Sequence, residues 1–330
     1  MTMRITPLTT ETQSLLDCAE QEFQDELRGL ALTRADASFV SEQEGRVHGW
    51  YSLWHTRAPQ YQKFRTGCLG HFRANTRDTA LALLEHASRN AKTAGLHYLL
   101  GPLDGDTWHS YRLTTDMHGY PPFFLDRLTP LEWADFFGEA GFAPVATYCS
   151  TVAPAVPYTE KATDIWSERF QAGAPWRLRP LCLEEFEEEL RRIYALSCRA
   201  FVDNFLYTPI AWPDFLALYL PIKRYLRPEL VQLAFRGDEL AGFCLCVPDY
   251  AQAARGEAMD GLILKTFARD LDPACKGLGA FLMWNSHMLA AKQGFTRLIT
   301  AFMHMDNVSL RLALKAGTII RSYALYGREL

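Results

Sequence analysis

Leu262–Gly294, LILKTFARDLDPACKGLGAFLMWNSHMLAAKQG, is the stretch whose reading decides the fold. An apolar run stops at Arg269-Asp270, a Pro-containing turn follows, and a helix begins at Lys276-Gly277-Leu278-Gly279-Ala280. A strand that ends in a glycine-bearing turn and opens a helix aims several backbone N–H groups at one point. The helix dipole adds about half a positive charge there, and glycines let an anion approach the backbone. The turn therefore suits a phosphate or a diphosphate. Taken alone, Gly-x-Gly also begins many helices for packing reasons, so its surroundings matter.

Downstream, FTRLITAF (Phe295–Phe302) reads as the next strand, and Asp306-Asn307 opens a helix that ends at Gly317. This succession resembles the central motif of the GNAT acyltransferases, which bind acetyl-CoA in the turn between their fourth strand and third helix. The resemblance spans roughly Leu181 to Leu330 and is best over Leu262–Gly317. It implies cofactor contacts from Phe267, Ala268 and Arg269 at the strand end and from Cys275, Lys276, Gly277, Leu278, Gly279 and Ala280 in the loop. It also implies one from Asn307, a residue equally suited to cap its helix. Two departures stand out: Ala274 occupies the usual Gln/Arg position and Cys275 one that is often Gly.

A length of 330 residues suggests two domains, each able to bury its own core. A formal net charge of −4 and scattered basic residues exclude a general nucleic-acid binder. The 8 cysteines show no CxxC spacing and read as reduced thiols of a cytoplasmic protein. The polar start MTMRITPLTTETQ has no apolar signal region, and no window approaches a membrane span, so no membrane partner is expected. The 9 histidines form no ligand spacing, and no metal is expected.

The two halves of the chain repeat one order of elements. Thr79–Gly95 reads as an amphipathic helix with a glycine C-cap, followed by the short strand LHYLLG; AAKQG and FTRLITAF repeat this later. Glu132–Ser150 likewise matches Ser309–Gly327 as helix, Ala-Gly cap and tyrosine-bearing strand. The expected architecture is an α/β fold of two GNAT-like domains, each a central twisted mixed sheet flanked by helices. Residues 1–152 form a degenerate first domain, 153–175 a Pro- and Gly-interrupted linker, and 176–330 the acyl-CoA-binding domain. The first half is degenerate because GCLGHFRA enters its helix without a glycine, leaving Asn75 or Thr76 as an ordinary cap. Only one strand follows Gly317, where the family has a hairpin; the missing strand is sought elsewhere in the chain, with the linker as a candidate.

Acyl transfer to an amine needs a cofactor cradle, a donor for the developing oxyanion and a path for the amine proton. The family's acid tyrosine would fall at Leu314, so Tyr326 on the last strand is the candidate, ahead of Tyr323. Asp249, after the third strand of the half, and His304, at the end of the strand following the cofactor helix, are candidate bases. The resemblance implies acceptor recognition by the segment between the first two helices of the half, where Asp203, Asn204 and Tyr207, among aromatic groups, are candidates for binding a small-molecule amine; a helix-ending loop with Asn204 as a cap is the other reading. A thiol pKa lowered at the helix start would make Cys275 a conceivable nucleophile. The aromatic insertion 101–130 either covers a pocket or fills an interface.

Together these features point to an acyl-CoA-dependent N-acyltransferase, with acetyl-CoA as co-substrate and direct attack in a ternary complex. The alternative is a non-catalytic CoA- or ligand-binding regulatory protein of the same fold. An aminoacyl-transfer RNA-dependent enzyme ranks last, because the diphosphate loop is retained.

Overall fold

The structure, a computed structural model, describes residues 3–9, 34–155 and 176–330. The first half opens with the antiparallel strands β1 (Arg4–Pro7), β2 (Ala37–Gln43), β3 (Arg46–Trp54) and β4 (Thr66–Ala74). Helix α1 (Arg77–Thr93) follows, and the side chain of its N-cap Thr76 accepts the Thr79 N–H. Its buried Ala80, Leu83, Leu84, Ala87 and Ala91 recur at helical spacing and pack on β3 and β4. Strand β5 (Tyr98–Gly101), the short β6 (Leu113–Asp116), α2 (Glu132–Glu139) and β7 (Ala143–Pro154) complete this half.

The second half repeats the plan with β8 (Arg177–Pro180), α3 (Phe186–Ala200), α4 (Trp212–Tyr219), β9 (Val231–Arg236) and β10 (Glu239–Pro248). Then come α5 (Tyr250–Ala254), β11 (Gly261–Arg269), α6 (Leu278–Lys292), β12 (Arg297–His304), α7 (Val308–Ala313) and β13 (Thr318–Glu329). Side chains alternate across β10: Phe243 and Leu245 meet α3 and α4, whereas Cys244 and Cys246 meet α6. Helices thus cover both faces of the sheet in this half.

All thirteen described strands join one mixed sheet in the order β1-β2-β3-β4-β5-β13-β7-β12-β11-β10-β9-β8, with β6 attached to β13. The centre of that order shows an exchange. β13, last in the chain, pairs with β5 of the first half, Tyr326 facing Gly101. β7, last in the first half, pairs with β12 of the second, Ile299 facing Val152. The strand missing after Gly317 is therefore β7, and not the linker. Ala153 and Pro154, expected to begin that linker, end β7 opposite Leu298 and Arg297, and residues 156–175 lie outside the described residues.

The insertion 101–130 ties the halves together. Asp126 and Arg321 form an ion pair at 3.0 Å with both side chains at 0% exposure. Arg321 also donates to the carbonyls of Met117, Tyr120 and Pro121. Trp108 donates from its indole to the Thr208 carbonyl at 2.9 Å and packs against Phe215. The insertion fills the interface and also walls a cavity.

Candidate functional site

The parallel pair β11 and β12 stays hydrogen-bonded only over Gly261–Leu264 and Arg297–Thr300. Beyond that point both strands are irregular. Lys265 is a bulge residue against β10, and β12 carries an extra residue at Ala301-Phe302, where Phe302 has a φ of 62°. The pair then splits open toward the start of α6, with no further ladder bond between these two strands.

At that corner Gly277 has φ 94°, a left-handed conformation that a side chain would strain. The next three residues, Leu278, Gly279 and Ala280, begin the helix, so their N–H groups lack intrahelical acceptors, and among the described residues no side chain caps them. The Phe267 ring and the Arg269 stem lie beside Gly279. Ala268, in contrast, is buried in the core. Cys275 and Lys276 donate their N–H groups to the carbonyls of Asp272 and Pro273, so these two amides are turned away from any ligand. Asp270 and Asp272 oppose an anion here, but Arg199 and Arg236 pair with them at 3.0 and 2.8 Å.

Two cavities, of about 540 and 1220 Å³, meet at the mouth of the split. Lys265, Tyr111, Trp108, Tyr219 and Phe302 line both. The smaller brings together Asp203, Asn204, Tyr207, His304 and Asn307, five residues singled out from sequence. Burial pushes the Tyr207 hydroxyl up to about 12, and it donates to the Cys198 carbonyl. His304 accepts the Asp306 N–H at Nδ1, which leaves Nε2 as the donor in the neutral ring. That orientation makes His304 a better hydrogen-bond donor than base.

Three expectations need correction. Asp249 is buried at the other end of the sheet, because β10 runs antiparallel to β11 and so ends beside Gly261, far from the split. It caps α5 and accepts the Phe124 N–H at 2.7 Å. Tyr326 is buried in the first half's core against Phe137, whereas Tyr323 walls the larger cavity and donates its hydroxyl to Asp126. Cys275 is buried, and burial raises its thiol pKa instead of lowering it.

The residue that the sequence reading passed over is Lys265. Burial, with Arg112 and Arg127 nearby, brings its ammonium down to about 8. A lysine inside an otherwise apolar run, LIL-Lys-TF, was the available signal. Arg112 and Arg127, in the insertion, gave none beyond their aromatic neighbours.

The first half's equivalent split is closed. β4 and β5 pair over Thr66–Cys68 and Tyr98–Leu100. The chain after β5 then presses on β4: Leu103 N–H bonds the Leu69 carbonyl at 2.8 Å, and Asp104 accepts the His71 N–H at 2.6 Å. A Cβ on Gly70 would lie 2.5 Å from the Leu103 carbonyl oxygen.

No protein-family model matches the sequence, and no curated protein matches it. Several solved structures do share its architecture. One is the GCN5-related glucosamine N-acetyltransferase region of a fungal multi-domain GH3 β-N-acetylglucosaminidase, at 12% identity and TM-score 0.56 over 99% of this chain. The chain spans 38% of the length of that protein. A tandem GNAT protein from the clavulanic acid biosynthesis pathway matches at 13% identity and TM-score 0.52, covering 99% of this chain and 98% of that one. The GCN5-related N-acetyltransferase from Sphaerobacter thermophilus matches at 12% and 0.52, covering 99% and 95%. The fold is that of the GNAT proteins, in a tandem arrangement. Among the described residues no group of His, Cys, Asp and Glu could hold a metal ion, and no helix is long and apolar enough to cross a membrane.

Proposed function

We propose that this chain is a cytoplasmic acyl-CoA-dependent N-acyltransferase, with acetyl-CoA as donor, acting on a small amine or amino-acid-like acceptor by direct attack in a ternary complex. The observation that supports it most is the contrast at the two splits: one is filled by its own chain, whereas the other, among the described residues, is open and ends at an uncapped helix start. The residues present fit a CoA thioester. Leu278, Gly279 and Ala280 offer N–H groups to its diphosphate, with Asn307 at the mouth of the same split. When bound, CoA supplies an electrophilic acyl carbonyl.

The chain's own part is to hold the acceptor and remove its proton. An alkylammonium with pKa near ~10.4 is protonated at neutral pH and cannot attack. Lys265 stands where both cavities meet, and its lowered pKa leaves a useful neutral fraction to take that proton. The positive charges of Arg112 and Arg127 contribute to that lowering. Tyr323 has its hydroxyl committed to Asp126 and does not serve as the acid.

The test is unfolding with and without acetyl-CoA, followed by free-thiol release over a panel of amines. No stabilisation at millimolar acetyl-CoA sinks the reading. Stabilisation without thiol release favours a non-catalytic CoA-binding regulator, the alternative that the aliphatic Leu314 keeps open.

A further inference from the structure

The larger cavity is electrically unbalanced. Its acids have partners: Asp104 lies against His71, Asp106 accepts from His109 at 2.8 Å, and Asp214 pairs with Arg34 at 2.7 Å. Asp126, beneath its wall, is committed to Arg321. Its cations lack a close one: among the described residues no carboxylate comes within ion-pair distance of Arg112, Lys265 or the exposed Arg127, although Arg127 acts on Asp104 at longer range.

Arg112 is the most constrained of the three. Its backbone is left-handed, with φ 72°. Its guanidinium sits among four rings, 4.2 Å from the centroid of Tyr111, 4.7 Å from Tyr148 and Phe302, and 5.3 Å from Tyr323. Rings satisfy a charge but accept N–H bonds poorly. Accordingly Nη1 is buried with no hydrogen-bond partner. A buried donor without an acceptor is costly; Nη1 itself is closed to solvent, so a ligand oxygen would be met by the part of the Arg112 side chain that lines the cavity. Lys265 lies over the same Phe302 ring, at 5.0 Å.

We propose that this end of the cavity binds a carboxylate, and that the acceptor is therefore an amine that also bears a carboxylate, of the amino-acid class. Arg112 donates to a carboxylate oxygen, Arg127 adds charge from the exposed side, and Trp108 and Phe302 wall the apolar remainder of the molecule. With the carboxylate anchored there, the amine faces Lys265 at the junction with the split. The word "acceptor" rests on the transferase reading above; the carboxylate site itself does not.

Calorimetric titration without any acyl donor tests the site, using phenylacetate, uncharged 2-phenylethanol and inorganic phosphate. Phenylacetate should bind at least about tenfold more tightly than 2-phenylethanol, as a charge-assisted pair requires. Arg112→Met should reduce it to the alcohol's level. Equal binding of the alcohol, unchanged binding by Arg112→Met, or tighter binding of phosphate overturns the proposal. If Arg112→Met does not fold, Arg127→Met should weaken phenylacetate severalfold, and no weakening overturns it equally. Acyl transfer separates the two claims. Carboxylate binding with no transfer to any amine removes the transferase reading and keeps the site. Transfer to 2-phenylethylamine as fast as to L-phenylalanine keeps the transferase and removes the site.

Discussion

The first half ends its β4–β5 split in a closed wedge, with Leu103 and Asp104 bonded to β4. The second leaves β11 and β12 apart, with cavities on either side of Lys265. Both strands carry a bulge at the same depth, around His71 in β4 and at Lys265 in β11. The difference lies in what fills the space beyond the bulge. In one half an Asp104 carboxylate takes the His71 N–H; in the other no described segment does so, and among the described residues no side chain caps the helix start. A shared backbone plan therefore yields one supporting half and one candidate site, and the supporting half returns the insertion that walls the site.

Four experiments break or sharpen this contrast. The largest effect is expected at Lys265. Lys265→Met should lower kcat by about 10²–10⁴-fold, the usual contribution of a positioned base. On the proposed transferase reading, kcat/KM of the parent protein should rise with pH through about 8, because the protonated amine cannot accept a proton, and the variant should lose that limb. A pH profile unchanged in Lys265→Met would reassign the base.

The next concerns the clamp between the halves. Asp126→Ala leaves the Arg321 guanidinium buried without its counter-charge, which costs about 3–5 kcal/mol. Urea unfolding should show this as a lowered midpoint, and a near-normal midpoint would mean that the insertion is not a structural tie.

Ligand linkage comes third. Acetyl-CoA at a hundred times its Kd should add about 2.7 kcal/mol to stability. Gly277→Glu should abolish that gain, since a side chain strains the left-handed turn and its carboxylate repels a diphosphate. A gain preserved in this variant would place the nucleotide elsewhere. The smallest effect is the matching change in the first half: Thr76→Ala removes an ordinary N-cap at a cost of about 1 kcal/mol. It should leave the acetyl-CoA gain intact. Loss of that gain would show that the first half takes part in binding.

Much of the local plan was legible. The spacing of Ala80, Leu83, Leu84, Ala87 and Ala91 with Gly95 behind them marks α1, and the Gly237-Asp238 turn marks the β9–β10 hairpin, because periodicity and turn chemistry are local. Asp203, Asn204, Tyr207 and His304 were chosen as loop and strand-end residues and Asn307 through the family resemblance, and these do share one cavity. Asp249 was misplaced because a strand pattern does not state direction, and antiparallel pairing sent it to the opposite edge. Tyr323 and Tyr326 face opposite sides by strand geometry, yet nothing in the pattern says which side is wet. Cys275 lies in the expected loop, but its side chain turns inward, and burial then outweighs the helix dipole.

From the chain alone came the order of elements, the duplicated plan and the strand–Gly-x-Gly–helix corner, since each depends on residues close together in sequence. The exchange of β7 and β13, the closing of one split and the meeting of Arg112, Arg127 and Lys265 were decided only in three dimensions. Strand pairing and burial join residues far apart along the chain, and the free energy of such contacts exists only once both partners are in place.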